Sequence, residues 1–445
     1  MGEFNFGYNG SENFAPGKRY GFFPAVSAGW VVSSESFMES SSRWLDFLKI
    51  RGSFGIVGSD HTISRFPYIS YYVGGDGYEF GPNFENNNPG GIKEGGLVDG
   101  NLTWEKARKS NIGIDANFLH QRLSLTVDVF NEDRYDMIIN INDNNKLGFP
   151  GVVGKDAPSV NAGKIRNRGI EFEIGWNDKI GKDFRYYIKP NFTFARNKII
   201  YMAEVPRGNS WRQETGRRMY ENFVYVFDHF VKDQAEADRL NEIGFQQWGT
   251  LVPGDVVYKD LNRDGVINDD DRTAMGHPRS PEIQFGIPIG FQYKGFDFSV
   301  LFQGAANTSI QLTGAAIYDF PLYDQDKFGR VKEIHLQRWT PETAETAKYP
   351  ALHIGDHPNN KNDNSSLFLY DAKYLRLKTI EIGYNFPQKT LKFFNFQQIR
   401  IYAQGLNLLT WDGLDDVDID PETGNGWGNW YPIQKVVNFG IDITF

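Results

Sequence analysis

The last ten residues, VVNFGIDITF, alternate strictly. Val437, Phe439, Ile441, Ile443 and Phe445 are apolar, and Asn438, Gly440, Asp442 and Thr444 separate them. A period of two belongs to a β-strand with one apolar face. The same period recurs along the chain. In SNIGIDANF (110–118), Ile112, Ile114, Ala116 and Phe118 share one face and Asn111, Gly113, Asp115 and Asn117 the other. After the short LHQR comes LSLTVDVF (123–130), with Leu123, Leu125, Val127 and Val129 opposite Ser124, Thr126 and Asp128. This pair predicts a hairpin. GIEFEIGW (169–176) with YYIKPNFTF (186–194) predicts a second, and EIQFGIPIGFQY (282–293) with FDFSVLFQG (296–304) a third, turning at Lys294–Gly295. YGFFPAVSAGW (20–30), FLKIRGSFGIVG (47–58), YLRLKTIEIGYNF (374–386) and IRIYAQGLNLL (399–409) read as further strands. The total is about twelve strands of roughly 8–13 residues, near the length that crosses a bilayer at a tilt.

The connections sort into two lengths. Short ones follow Phe118, Trp176, Tyr293 and Phe386, and long ones fill 59–103, 135–164, 197–280 and 307–370. Short turns at one end and long loops at the other mark outer-membrane barrels. The mid-strand charges Asp115, Asp128, Glu171, Glu173 and Lys189 then face a wet lumen. A two-layer soluble β-protein with one polar face in solvent remains the competing architecture. Pro190 and Pro288 interrupt strand patterns and predict bulges or unpaired stretches. The apolar phase slips between Leu377 and Ile380, which predicts a bulge there.

Composition narrows the partners. The net charge of −9 argues against nucleic acid, whose phosphates need a basic face. There is no Cys, hence no disulfide framework and no thiolate metal site. No apolar run reaches the roughly 18 residues of a membrane helix. A mean hydropathy of −0.48 does not exclude a transmembrane barrel, whose strands average apolar and polar residues. Met1 runs straight into the strand pattern of GEFNFGYNGS, as expected of a piece of something longer.

Several stretches together resemble the C-terminal part of the SusC/RagA family of TonB-dependent outer-membrane transporters. They include EFNFGYNGSENFAPGKRYGFFPAVSAGW (3–30), WLDFLKIRGSFGIVG (44–58) and LTWEKARKSNIGID (102–115). GDVVYKDLNRDGVINDDDR (254–272), YLRLKTIEIGYNFP (374–387), IRIYAQGLNLLTW (399–411) and YPIQKVVNFGIDITF (431–445) follow in family order. The resemblance implies that 1–445 is the C-terminal part of an antiparallel barrel of about 22 strands in the outer membrane. It also implies a SusD-like surface lipoprotein as partner, TonB as energy source, and oligosaccharides or peptides as cargo. The plug, the TonB-contacting segment and the leader are expected to be absent. Asn438, Gly440, Ile443 and Phe445 fit the family's barrel-assembly signal, polar-x-Gly-x-x-apolar-x-apolar. The other reading is a secreted or surface-displayed, calcium-stabilised glycan-binding β-protein.

Two loops carry recognisable chemistry. In DLNRDGVINDDD (260–271), Asp260, Asn262 and Asp264 stand at positions 1, 3 and 5 of an EF-hand-like register, with Gly265 at the sharp turn. Val266 offers a carbonyl, Asn268 a side chain or water, and Asp271 the closing oxygen, so Ca²⁺ is the expected ion. A solvated turn of backbone-bonding Asn and Asp is the alternative. GNGWGNWYP (424–432) presents Trp427, Trp430 and Tyr431, and another long loop holds Trp211 and Trp248. These aromatic faces suit sugars or peptide side chains, or a membrane-interface girdle. DGLDDVDID (412–420) reads as a solvated charge run. No HExxH, GxSxG or Walker pattern is present, so no enzymatic activity is expected. Of the seven His, only His353 and His357 share an i,i+4 spacing, in a loop followed by Pro358.

Overall fold

A computed structural model of the chain describes all residues except 62–64, 78–89, 142–151, 153, 247, 318–330, 354–356, 361, 363, 389–390, 392–395, 415–416, 418, 424–425 and 429. Parts of the acidic 412–420 stretch and of the 424–432 aromatic loop therefore lie outside the described residues. One antiparallel sheet dominates. Its strands are β1 (Gly2–Gly10), β2 (Tyr20–Val31), β3 (Leu45–Ser59), β4 (Glu105–Phe118), β5 (Leu123–Ile139), β6 (Val160–Ile180) and β7 (Phe184–Ile188). They continue as β8 (Asn191–Tyr201), β9 (Ile283–Tyr293), β10 (Phe296–Ala306), β11 (Tyr374–Asn385), β12 (Gln398–Asp412) and β13 (Val436–Thr444). Apart from β7 and β8, each strand pairs with the next in sequence, the up-and-down order of a barrel wall. The short β7 and the longer β8 are two halves of one transit: both pair with β6 and with β9.

Pro190 makes that break. It has no N–H to donate, yet its carbonyl still accepts from Ile174 N at 3.0 Å. Pro288 stays inside β9, and its carbonyl accepts from Lys189 N at 3.0 Å. The phase slip in β11 is a bulge at Lys378: Leu301 faces Thr379 while Phe302 faces Leu377. The predicted hairpin at Lys294–Gly295 is a two-residue turn with φ of 46° and 92°, the primed geometry that suits strand twist.

Register decides between the two architectures. Ile50, Ile114, Val127, Phe172, Phe192 and Phe285 sit opposite one another across six strands. Phe298, Ile382, Ala403 and Phe439 continue that apolar face. The reverse face runs Asp115, Thr126, Glu173, Asn191, Gly286, Gln303, Arg376 and Thr410. Among the described residues no second layer covers the apolar face: Val129 is 53% exposed, Ile441 62% and Phe439 82%. A contiguous apolar surface of this extent marks contact with a membrane. No helix among the described residues is long and apolar enough to cross one; a barrel crosses with strands, whose backbone groups pair with one another.

All long connections (60–104, 140–159, 202–282, 307–373 and 413–435) leave one end of the sheet. The connections 119–122, 181–183 and 294–295 turn at the other. Three departures from the sequence reading stand out. The turn expected after Trp176 comes later, because β6 continues to Ile180 and pairs with Phe184. Strands β5 and β6 run 17 and 21 residues, reaching past the bilayer into the segment read as the 135–164 loop. The long connections also fold. Asn222–Tyr225 pairs with Arg272–Met275, and Phe227–Phe230 with Val256–Tyr258. The helix α1 (Gln234–Glu242) is capped by Asp233, which accepts from Glu236 N. The buried apolar clusters sit largely in this loop layer, for example Ile310, Leu312, Phe368 and Leu414.

Candidate functional site

The polar face of the sheet becomes a site where it meets the loop layer. Side chains of one strand face alternate, so Asn191 and Thr193 of β8, Gln284 of β9 and Gln303 of β10 point the same way. With Arg279 and Glu422 from the loops they line a cavity of about 670 Å³. Uncharged amides and a hydroxyl offer both donors and acceptors, which suits sugar hydroxyls or peptide backbone. Charges lie farther along the same face. Arg51 bonds Asp115 at 3.0 Å and Asp128 at 2.6 Å. Arg400 bonds Glu381 at 2.6 Å and also Asp297. Of these charges, Asp115 and Asp128 stand out from the sequence, whereas the amides alternate just as regularly but carry no charge to draw notice.

Buried Arg376 ties the face to the loops. Its Nε donates to Thr410 Oγ1 at 2.9 Å, Nη2 to Asp420 at 2.6 Å, and Nη1 to Glu422. Tyr374 donates to the same Glu422 at 2.5 Å. Asp420, read from sequence as part of a solvated charge run, is thus a partner of a cation that is 1% exposed.

The loop 260–271 is held by side chain–backbone hydrogen bonds. Asp260 accepts from Arg263 N at 2.6 Å and Gly265 N at 2.8 Å, and Asp264 from Val266 N at 2.9 Å. Gly265 takes φ of 87°, open to glycine at no steric cost. Ile267 is buried and donates to Phe245 O at 2.7 Å, anchoring the loop. Asp271 is fully buried, and its two oxygens accept from Leu261 N at 2.7 Å and Asn268 N at 2.9 Å. Asn262 accepts from Asp264 N and Asn268 from Asp270 N. Asp260, Asp264 and Asp271 thus each accept backbone N–H groups, which take part of the roughly four lone pairs of a carboxylate. Among the described residues, Asp260, Asp264 and Asp271 do not form a group with ligand atoms within 4.8 Å of one another.

The aromatic residues separate. Trp211 donates to Asp270 O at 2.8 Å and Arg212 bonds Asp270 at 2.7 Å, so this segment braces loop 260–271. Trp248 packs edge-on against Tyr225 and Tyr258 at ring centroids of 4.8 and 5.5 Å, inside an apolar cluster. Burial and the neighbouring Asp269 push the Tyr225 hydroxyl up to about 12, keeping it a neutral donor. Trp427, Trp430 and Tyr431 remain at least half exposed. The Trp427 indole covers Gly314, where a Cβ would lie 2.8 Å away.

Glu204 is a second carboxylate built into the loops. It accepts from Glu214 N at 2.7 Å and Thr215 N at 2.8 Å. Burial raises its pKa, but the two N–H groups, the Thr215 hydroxyl and the nearby Arg207 together hold it below the ordinary value of 4.5. A depressed carboxylate contributes stability above its unfolded pKa and loses it as pH falls through the folded value. Glu204→Gln should therefore cost about 1–3 kcal/mol at neutral pH and nothing in acid, read by thermal unfolding across a pH series.

The terminal strand is held on one side by β12. Asn438 pairs with Gln404, Gly440 with Tyr402 and Ile443 with Ile399, and the Phe445 ring meets Phe396 at 5.3 Å. Gly440 makes room for Tyr402, whose ring would lie 2.2 Å from a Cβ there. The outer edges of β1 and β13 have no strand partner among the described residues.

The sequence profile of the family "TonB dependent receptor-like, beta-barrel" matches residues 4–408. The chain is 26% identical to TonB-dependent receptor P26 of Formosa agariphila, over 98% of this chain and 44% of that protein. It is 25% identical to TonB-dependent receptor SusC of Bacteroides thetaiotaomicron, over 99% of this chain and 42% of that protein. A solved structure of the RagAB peptide transporter superposes with a TM-score of 0.76 at 20% identity, covering 100% of this chain and 46% of that one. The chain thus spans less than half the length of the relatives it matches. With the apolar face outward and this match, the secreted glycan-binding reading falls away. The chain is similar to SusC and to the RagAB transporter, belongs to the β-barrel family of TonB-dependent receptors, and is an outer-membrane protein.

Proposed function

We propose that this chain forms part of the barrel of a TonB-dependent importer that admits oligosaccharides or peptides. The observation that carries the reading is the cavity of amide and hydroxyl side chains at the top of the polar face, beneath the folded loops. Its donors and acceptors, with Arg279 and Glu422 at the rim, match ligands with many hydroxyl or amide groups. The exposed Trp427, Trp430 and Tyr431 would add stacking surface near the mouth. A SusD-like surface lipoprotein would cover the loops, TonB would act through parts of the protein outside this chain, and further strands would meet the free edges of β1 and β13. The test is deletion of the gene in its host, with growth on defined oligosaccharides or on peptides as the limiting nutrient. Loss of growth on one class, restored by the intact gene but not by Gln284→Ala/Gln303→Ala, supports the proposal. Unchanged growth on both classes contradicts it.

We also propose Ca²⁺ for loop 260–271, supported by the residue spacing and the position of Gly265. Binding would draw the oxygens of Asp260, Asp264 and Asp271 together around the ion through the lone pairs that the backbone N–H groups do not take. Ca²⁺ at about 100 times its Kd should then add about 2.7 kcal/mol of stability. The same melting curve with Ca²⁺ and with chelator would leave the loop as a hydrogen-bonded turn.

A further inference from the structure

Asp255 is fully buried, and three nitrogen donors converge on one of its oxygens. His353 Nε2 lies 3.0 Å from Oδ1, His357 Nε2 2.8 Å and Asn360 Nδ2 3.1 Å. The other oxygen accepts from Val252 N at 2.9 Å. The two imidazoles stack at 3.8 Å between centroids, so their Nε2 atoms reach the carboxylate side by side. A carboxylate oxygen offers about two lone pairs. Three N–H groups on Oδ1 exceed that number, while Oδ2 takes one. The arrangement is crowded as a hydrogen-bond cluster and natural as a ligand set.

We propose that Asp255, His353 and His357 bind a first-row divalent cation of borderline softness, with Zn²⁺ the foremost candidate, and that this ion staples two loops together. The three ligand atoms already lie within 4.8 Å of one another. Bonds of about 2.1 Å in a tetrahedral site place ligand atoms roughly 3.4 Å apart. The observed separations of 2.8 and 3.0 Å need to open by only a few tenths of an ångström. Two imidazoles and one carboxylate are a nitrogen-rich set, which suits Zn²⁺, Ni²⁺ or Cu²⁺ and not the hard, oxygen-seeking Ca²⁺ or Mg²⁺. Asn360 supports the set from behind: its Oδ1 accepts from Val256 N at 2.9 Å while its Nδ2 holds Asp255. The His side chains are 23% and 17% exposed, leaving a fourth position for water.

The placement explains why such an ion would matter. Asp255 belongs to connection 202–282, and both His to connection 307–373, 98 and 102 residues away. The two connections are separate excursions of the chain and share no strand. A metal bond between them would fix the floor of the loop layer more rigidly than hydrogen bonds do.

The test uses the protein purified in detergent, stripped with chelator, and titrated with Zn²⁺ against a chromophoric competitor. One Zn²⁺ per chain is expected, with affinity weakened at least about 100-fold in Asp255→Asn and in His353→Gln/His357→Gln, beyond the effect of losing an orienting partner. Anomalous scattering at the zinc edge from crystals of the unaltered protein should give a peak among the three residues, which holds whether or not the variants fold. Absence of that peak, equal affinity in the His variant, or displacement of Zn²⁺ by equimolar Ca²⁺ would overturn the assignment.

Discussion

Replacing Arg376 with alanine is expected to destabilise the protein by about 3–5 kcal/mol, the cost of breaking a buried ion pair on one side. Arg376 is 1% exposed, while Asp420 and Glu422 are 16% and 25% exposed. Truncation takes the shared cation from Asp420 and Glu422, leaves Glu422 the more distant Lys378 at 3.8 Å, and frees Thr410 Oγ1. The guanidinium fork reaches three partners at once, which a lysine ammonium cannot do from one point. Arg376→Lys should therefore recover only part of the loss. Urea or thermal unfolding in detergent measures both. A cost below about 1 kcal/mol would mean that the network is solvated and that connection 413–435 is not anchored through it.

The second large effect separates the two faces of one strand. Val129→Arg places a charge between Ile112 and Ile170 on the apolar face and should cost about 2–4 kcal/mol near the bilayer midplane. Thr126→Arg, three residues away on the opposite face, lands between Asp115 and Glu173. Its effect should stay within about 0.5 kcal/mol. Reversible unfolding from lipid vesicles gives both values. Equal costs would remove the distinction between a lipid side and a lumen side.

Strand identity and facing were legible in the sequence because a period of two records which side of a wall each residue occupies. The break at Pro190 and the bulge at Lys378 were legible for the same reason: each disturbs a ladder in a way one chain segment displays on its own. Strand ends were not. β6 continues to Ile180 because Phe184–Ile188 is there to pair with, not because the residues between alternate more strongly. Contacts between distant loops were equally hidden. Asp420 looked like a solvated acid because its cation lies 44 residues upstream. His353 and His357 showed their mutual spacing, but nothing local announced Asp255 as the residue they share. Trp248 carried the composition of a ligand-stacking residue, and only the arrival of Tyr225 and Tyr258 makes it part of a loop core.

The absence of cysteine makes the most direct measurement simple. Single-cysteine variants at consecutive positions of β5, Leu125→Cys through Phe130→Cys, can be placed in lipid bilayers and treated with a membrane-impermeant thiol reagent. Alternation is predicted: the variants at Thr126 and Asp128 react from the aqueous side, and those at Leu125, Val127 and Val129 stay protected and are quenched by lipid-borne probes. Uniform reactivity, or the opposite alternation, would contradict a wall with hydrocarbon on one side and water on the other.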